Sequence, residues 1–258
     1  MATILYVLVS ALTALLALVK AQVPIPSRPQ GFPYNQSSCQ APIHLEVFVD
    51  LICSDCKHAF PTILEVADHY GSEMLNLNIL MFPLPYHRVA YLAAQGTFVV
   101  DSLSKGNATY KWMKTMFDNQ DKFEDFEIFD TTQKDVINSL AKYAGMSGVD
   151  SEEFKAHLTQ SDPSAYEAVI QWKYGCSRTV SGTPFPYING VFVDAYPTWT
   201  LKDWQQVIDP LLGYDNKKYK SFNQMSCPSG QSECQYLPGK TACCLAGEHC
   251  IPNVGCRC

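Results

Sequence analysis

Two cysteines three positions apart, Cys53 and Cys56, stand where an apolar, β-branched run ends and a helical pattern begins. Amide N–H groups and the macrodipole at a helix N-terminus stabilise a thiolate, so a cysteine at such a turn is set up as a nucleophile. Cys53 is the expected attacking thiol. Cys56, shielded by the helix, is the expected resolving thiol, which closes on a mixed disulfide and releases it. The same spacing serves half of a zinc site. No second Cys-x-x-Cys and no His-x₃₋₅-His follows at ligand spacing, so neither a metal nor a bound cofactor is expected. The alternative is an inert structural disulfide. Three charges lie close enough in sequence to tune the pair: Asp55 should raise the thiolate pKa, Lys57 should partly offset it, and Asp50 either tunes the thiols or hydrogen-bonds the turn. His58 is expected to be solvated, and His87, at the head of a helix, to be structural.

The elements that must position this pair follow from periodicity. Residues 43–52 (IHLEVFVDLI) read as a buried strand, and 54–70 as a helix with Phe60, Ile63, Leu64, Val66 and Ala67 on its apolar face. Residues 74–82 read as a second strand, stopped by Pro83 and Pro85. Helical patterns then fill about 88–173: Arg88–Ser104, Tyr110–Asn119, Thr131–Ala144, Ser151–Leu158 and Ser164–Tyr174, with Asp150, Ser151 and Asp162 as caps. Phe123, Phe126 and Phe129 should pack inside this block. A strand at Phe185–Ile188 turns through Asn189-Gly190 to Val191–Val193. A helix from Thr200 to Leu212 starts with Thr200 and Asp203 at capping-box spacing. Strand–helix–strand implies a parallel pair, so the fold class is α/β, with the helical block inserted into a small sheet.

The chain has 258 residues, of which 47% are hydrophobic and 17% charged, and a formal charge of −6. The acidic balance argues against a nucleic-acid partner, which needs a basic surface. The uncharged apolar run Ala2–Val19 followed by Val19-Lys20-Ala21 reads as a signal peptide over 1–21. No span is expected after its cleavage, and a secreted, extracellular destination follows, with no Lys-Asp-Glu-Leu type signal at the end. Sequons at Asn35 and Asn107 are then candidate glycosylation sites. Residues 22–38 are a Pro-rich lead, 39–213 the main domain, 214–226 a linker and 227–258 a cysteine-rich module.

Four stretches, in matching order over roughly 40–213, resemble the DsbA-like branch of the thioredoxin-fold family. Cys53-Ser-Asp-Cys56-Lys57-x-x-x-Pro61 is similar to the thioredoxin active-site helix. Phe48-Val-Asp50-Leu-Ile-Cys53 is closer to DsbA, as is Phe82-Pro-Leu-Pro-Tyr-His87-x-x-Ala-x-x-Ala-Ala94. Val180-Ser-Gly182-Thr183-Pro184 with Ile188-Asn-Gly190 resembles the family's Gly-Thr-Pro loop and following hairpin. The resemblance implies a thioredoxin-like fold with a helical insertion, and thiol–disulfide exchange on protein or peptide substrates. Thr183 and Pro184 would bind an extended substrate segment, with Pro184 in cis. Two departures stand out. The family's acidic residue six before the first cysteine is here Val47; its neighbour Glu46 points to the other face by strand alternation. The dipeptide Ser-Asp replaces one that carries histidine in strong oxidants, which implies a less oxidising couple.

Nine cysteines remain as structural disulfide candidates: Cys39, Cys176, Cys227, Cys234, Cys243, Cys244, Cys250, Cys256 and Cys258. The tail spacing, with its adjacent Cys243-Cys244, resembles an inhibitor cystine knot and, more weakly, a granulin-like module. The knot would imply Cys227–Cys244, Cys234–Cys250 and Cys243 with Cys256 or Cys258. Either Cys39 pairs with Cys176, leaving a free tail thiol, or the tail is stapled to the main domain. The leading reading is a secreted thiol–disulfide oxidoreductase with an unidentified electron donor or acceptor. The rivals are a non-catalytic secreted binding protein on the same scaffold and a lysosome-type thiol reductase.

Overall fold

The computed structural model describes residues 23–26, 29–35, 40–222, 231–237, 240–244, 249–251 and 255–257. β1 (Phe32–Pro33), β2 (Ile43–Val49) and β3 (Leu75–Met81) join β4 (Phe185–Ile188) and β5 (Val191–Phe192) in one sheet of order β1-β3-β2-β4-β5. β2 lies at its centre, between β3 and β4. It pairs in parallel with β3 from Ile43↔Leu75 to Val49↔Met81, and antiparallel with β4. α1 (Ser54–Tyr70) leaves the C-terminal end of β2 by a short turn and buries Cys56, Ala59, Phe60, Ile63, Val66 and Ala67. These positions recur every three to four residues, which is the apolar stripe a helix lays on a sheet.

Between β3 and β4 lie α2 (Ala90–Ser104), α3 (Thr109–Asp118), a 3₁₀ turn (Gln120–Phe123), α4 (Gln133–Ser147), α5 (Ser151–His157) and α6 (Pro163–Ser177). Their starts are set by side-chain caps. Thr132 and Asp135 form a reciprocal capping box, and Asp150 and Asp162 accept from first-turn amides. Ser151 is not a cap; its hydroxyl donates to the Ala141 carbonyl. The insertion has its own core around fully buried Trp112, whose indole N–H donates to Thr97. Gly96 lets that indole and Phe154 approach α2, since a Cβ there would lie 2.9 Å from Trp112. α7 (Leu201–Phe222) closes the chain against α1. At its start only half of the expected capping box forms: the Asp203 carboxylate accepts from the Thr200 amide and hydroxyl, while the Asp203 amide donates to the Thr200 carbonyl. The tail forms two hairpins, β6 (Ser232–Leu237) with β7 (Lys240–Cys244), and β8 (His249–Ile251) with β9 (Gly255–Arg257).

Several expectations need correction. The last helix does not stop at Leu212 but runs through Gly213 to Phe222, into the stretch read as linker. A single glycine without a following proline does not end a helix. Phe123 is buried, but Phe126 and Phe129 are 71% and 78% exposed. They follow the 3₁₀ turn in an irregular segment, where helical spacing no longer predicts a face. β1 was read only as extended lead, because two residues carry no periodicity. Cys176 is a free, exposed thiol and makes no bridge to Cys39. It neighbours Gly175, which faces the sheet, so its own side chain turns outward. Cys234, Cys243 and Cys244 are disulfide-bonded, and Cys250 and Cys256 are register partners in β8–β9. Residues 1–22, Cys39, Cys227 and Cys258 lie outside the described residues, and with them the signal-peptide and most knot expectations. Gln40 donates to the Cys243 carbonyl at 2.7 Å, which brings the base of the main domain and the tail together.

Gly175 joins the insertion to the sheet behind the redox pair. A Cβ there would lie 2.6 Å from Phe82 and 3.1 Å from Phe48, both core rings. Gly175→Ala should therefore lower stability by about 1–3 kcal/mol through overpacking, read as a shift of the denaturant midpoint at constant slope.

Candidate active site

The site is built on the turn from Asp50 to Cys53. A chain that leaves a central strand inside the core must find partners for its main-chain groups, because water does not reach them. The turn is closed by the Cys53 amide donating to the Asp50 carbonyl at 3.1 Å. The Asp50 side chain supplies further acceptors. Its Oδ1 takes the Ile52 amide at 2.8 Å, and its Oδ2 takes the Leu84 amide at 3.0 Å and lies 2.7 Å from His87 Nδ1. Asp50 is 1% exposed and is the single buried carboxylate among the described residues. Burial pushes its carboxyl above the ordinary range, against these hydrogen bonds. The structural reading of His87 is thus met, by a specific partner.

Cys53 is the N-cap of α1, and Cys56 lies one turn inside it. Both are free thiols. Cys53 is 7% exposed and Cys56 1%, so the nucleophile is more covered than its place at a turn suggested, but still the more accessible of the two. The Cys53 thiol is lowered from 9.0 to about 6. The hydrogen bond from Cys56 contributes most, burial opposes it, and the amides of Cys56 and Asp55 add to it. Cys56 is pushed well above the ordinary thiol value, chiefly by burial. The expectation that Asp55 would leave the thiolate disfavoured is therefore corrected. Asp55 is exposed, while its amide N–H points at the sulfur from the first turn. Lys57 is half-buried and His58 exposed.

The Thr183–Pro184 peptide is cis, and the Thr183 carbonyl accepts from Cys53 Sγ at 3.3 Å. The loop stands directly across from the nucleophile, as the resemblance implied. Behind it Val47, Ala59, Ile63, Pro184, Pro186 and Trp204 line an apolar recess. The place where the family often carries a buried acid is therefore walled mainly by apolar side chains. Glu46 faces away, paired with Arg178 at 2.6 Å, whose guanidinium lies 4.0 Å over the Tyr187 ring. Sequence reasoning missed Gln120, a buried amide in the 3₁₀ turn. Its Nε2 lies 3.0 Å from the Leu51 carbonyl and 2.9 Å from that of Cys53. No local pattern marks it, since its partners are almost 70 positions away. Tyr86, 63% exposed, stands by the pair on the β3–α2 loop. Asn35 and Asn107 are both exposed, with the Asn35 amide donating to Asp68. No group of metal-ligating side chains occurs among the described residues.

A family profile described as Thioredoxin matches residues 38–210, well over half of the chain. The chain belongs to the thioredoxin family. Solved structures that it resembles include oxidoreductases and a DsbA protein. BdbD from Bacillus subtilis, in its oxidised form, superposes with a TM-score of 0.57 at 16% identity, covering 71% of this chain and 93% of its own. Wolbachia pipientis α-DsbA1 gives 0.56 at 20% identity, covering 76% and 96%. A thioredoxin-like oxidoreductase from Silicibacter pomeroyi gives 0.53 at 12%, covering 72% and 94%. At such identities the likeness establishes the fold. No curated protein matches the sequence. Among the described residues no helix is long and apolar enough to cross a membrane.

Ultraviolet titration of the reduced protein at 240 nm should show a thiolate forming with a midpoint near 6. Cys53→Ser should abolish this transition, and Cys56→Ala should move it upward by removing the main hydrogen bond. The linked stability has a definite sign. The folded thiol ionises near 6 and its ordinary value is 9.0, so the ionised thiol stabilises the reduced fold fully above pH 9. That contribution is lost as pH falls towards 6. Unfolding midpoints of the reduced protein relative to Cys53→Ala, measured across this window, should converge at its acid end.

Proposed function

We propose that this protein is a secreted thiol–disulfide oxidoreductase that acts on protein or peptide substrates through Cys53 and Cys56. The observation that carries the reading is the opposite treatment of two thiols one helical turn apart. Cys53 is lowered to about 6 and Cys56 raised. A static bridge requires no such asymmetry; an exchange centre does.

The chemistry follows from it. The Cys53 thiolate attacks one sulfur of a substrate disulfide, whose S–S bond breaks and whose other sulfur leaves as a thiolate. Cys56 then loses its proton, attacks Cys53 Sγ and expels the second substrate thiolate. Two electrons and the Cys56 proton leave the pair, the two substrate sulfurs leave as thiolates, and the second of them takes its proton from water; run backwards, the same steps oxidise a dithiol. Thr183 and cis Pro184 border the nucleophile on the side where an extended segment would lie and offer it main-chain hydrogen bonds. A Cys53 value of about 6 lies between those of about 3.5 for DsbA and about 7 for thioredoxin. This supports a couple less oxidising than DsbA, with Asp50, Asp55 and Lys57 as nearby charges that modulate it. An apolar leader, exposed sequon asparagines at Asn35 and Asn107, and disulfide-bonded tail cysteines support a secretory destination. The tail from Cys227 to Cys258 is then a small disulfide-stabilised module appended to the enzyme.

The reduction potential, measured against a glutathione series by thiol trapping and mass spectrometry, should fall between about −130 and −270 mV. It should steepen from about 30 to about 59 mV per pH unit below the Cys53 ionisation, where two protons accompany two electrons. A potential below about −300 mV would mark a structural disulfide and end the enzymatic reading. Cys56→Ser should accumulate a Cys53 mixed disulfide with a disulfide-bonded peptide substrate, and Cys53→Ser none.

A further inference from the structure

Gln120 is buried, 4% exposed, in an insertion that otherwise makes its own core. Its amide group spends its donors outside that core, on the carbonyls of Leu51 and Cys53 at 3.0 and 2.9 Å. Those carbonyls flank the attacking cysteine. The Cys53 carbonyl also accepts the Lys57 amide at 3.1 Å, the first hydrogen bond of α1. Gln120 therefore grips the turn from one side while Asp50 grips it from the other, through the amides of Ile52 and Cys53.

The grip is firm because the 3₁₀ turn is itself anchored. Asn119 donates its side-chain amide to the Thr115 carbonyl at 2.8 Å, and the Lys122 amide donates to the Asn119 carbonyl at 3.1 Å. Phe123, 1% exposed, packs edge-on against Tyr143 of α4. The insertion thus reaches the turn before Cys53 through the Gln120 side chain. Carbonyl oxygens are the negative ends of peptide dipoles. Paired to a neutral N–H donor, they are partly compensated, and their direction is fixed. Without Gln120 the Leu51 carbonyl loses this donor and the Cys53 carbonyl keeps the Lys57 amide, which adds negative potential beside the thiolate and lets the N-cap of α1 relax away from its amides.

We propose that Gln120 is the positioning residue through which the helical insertion holds Cys53 in its nucleophilic geometry. This rests on the oxidoreductase reading of the pair. The titratable groups around Cys53 are Cys56, Asp55 and Lys57 on its own helix and Asp50 in the turn. Tyr86 and His87 come from the β3–α2 loop, and Asp121 and Lys122 from the 3₁₀ turn. Substitution of Gln120 leaves each of these in place, so any change in thiol ionisation reports the two carbonyls and the turn they belong to.

The test uses Gln120→Met, which keeps the volume and removes the donors, and Gln120→Asn, which keeps the amide one methylene short. Thiolate absorbance at 240 nm and the reduction potential are measured on the full chain, with near-ultraviolet circular dichroism confirming the fold. The wild-type midpoint near 6 should rise to about 7 or more in Gln120→Met, at least a tenfold loss of thiolate at low pH. Gln120→Asn should fall between the two, and the potential should become more negative in the same order. Should the methionine variant fail to fold, the asparagine variant decides by the same readings. Unchanged midpoints and potentials in a folded variant would overturn the role, even if stability falls, because a merely structural amide would not move them. A wild-type potential below about −300 mV would instead remove the oxidoreductase reading itself, so the two failures are distinguishable.

Discussion

Everything at this site depends on how a chain leaves the middle of a sheet without stranding its polar groups. β2 is central and buried, so the turn that follows it begins in the core rather than at the surface. Its amides are taken by the Asp50 carbonyl and carboxylate, and its carbonyls by Gln120. That pairing fixes where α1 starts, and the start of α1 fixes where Cys53 sits relative to the first free amides. The placement of the two thiols is a consequence of solving a hydrogen-bonding constraint with side chains from two other parts of the fold.

The same geometry separates the two thiols. Cys53, at the N-cap, receives a hydrogen bond from Cys56 and first-turn amides. Cys56, on the buried stripe of α1, has the low-dielectric interior around it and the Asp50 amide 3.5 Å from its sulfur. Opposite shifts three residues apart need no charged neighbour to produce them. This is why Asp55, which the sequence suggested would dominate, does not set the direction. An exposed carboxylate is screened by water, whereas the amide of the same residue is aimed at the sulfur without a solvent layer between them.

The parts of this structure that were legible in the sequence are the periodic ones. α1 was placed at its true bounds because its apolar positions repeat at helical spacing and a strand precedes it. The parallel β2–β3 pair, the Asn189-Gly190 hairpin and the Thr200–Asp203 cap were legible for equally local reasons. The redox pair and the cis Thr183–Pro184 loop were found as motifs. What escaped has a different character. Gln120 acts on carbonyls far away in the chain, and nothing in its local sequence says so. Phe126 and Phe129 kept aromatic spacing after the helix that would give it meaning had ended. Counting left Cys176 either bridged to Cys39 or unpaired beside a tail stapled to the main domain, because a bridge is decided by the face of α6 on which the cysteine lies, and that face is exposed. α7 outran its expected end because Gly213 alone is a weak stop. Local rules read elements well; they do not read contacts that close across an insertion.

The replacement of a buried acid by Val47 acquires sense from this arrangement. On a strand, the residue six before the nucleophile faces the space between α1 and the cis-proline loop. Here that space is an apolar recess lined by Ala59, Ile63, Pro184 and Trp204. An ionised carboxylate there would lack donors, and burial would hold it protonated or destabilise the fold. The chain instead places its one described buried carboxylate at Asp50, on the other side of the turn, with two amide donors and His87, whose side chain is 23% exposed and reaches towards solvent. The acid stands at the turn, where it can be fully hydrogen-bonded, and the wall beside the cis-proline loop is left predominantly apolar.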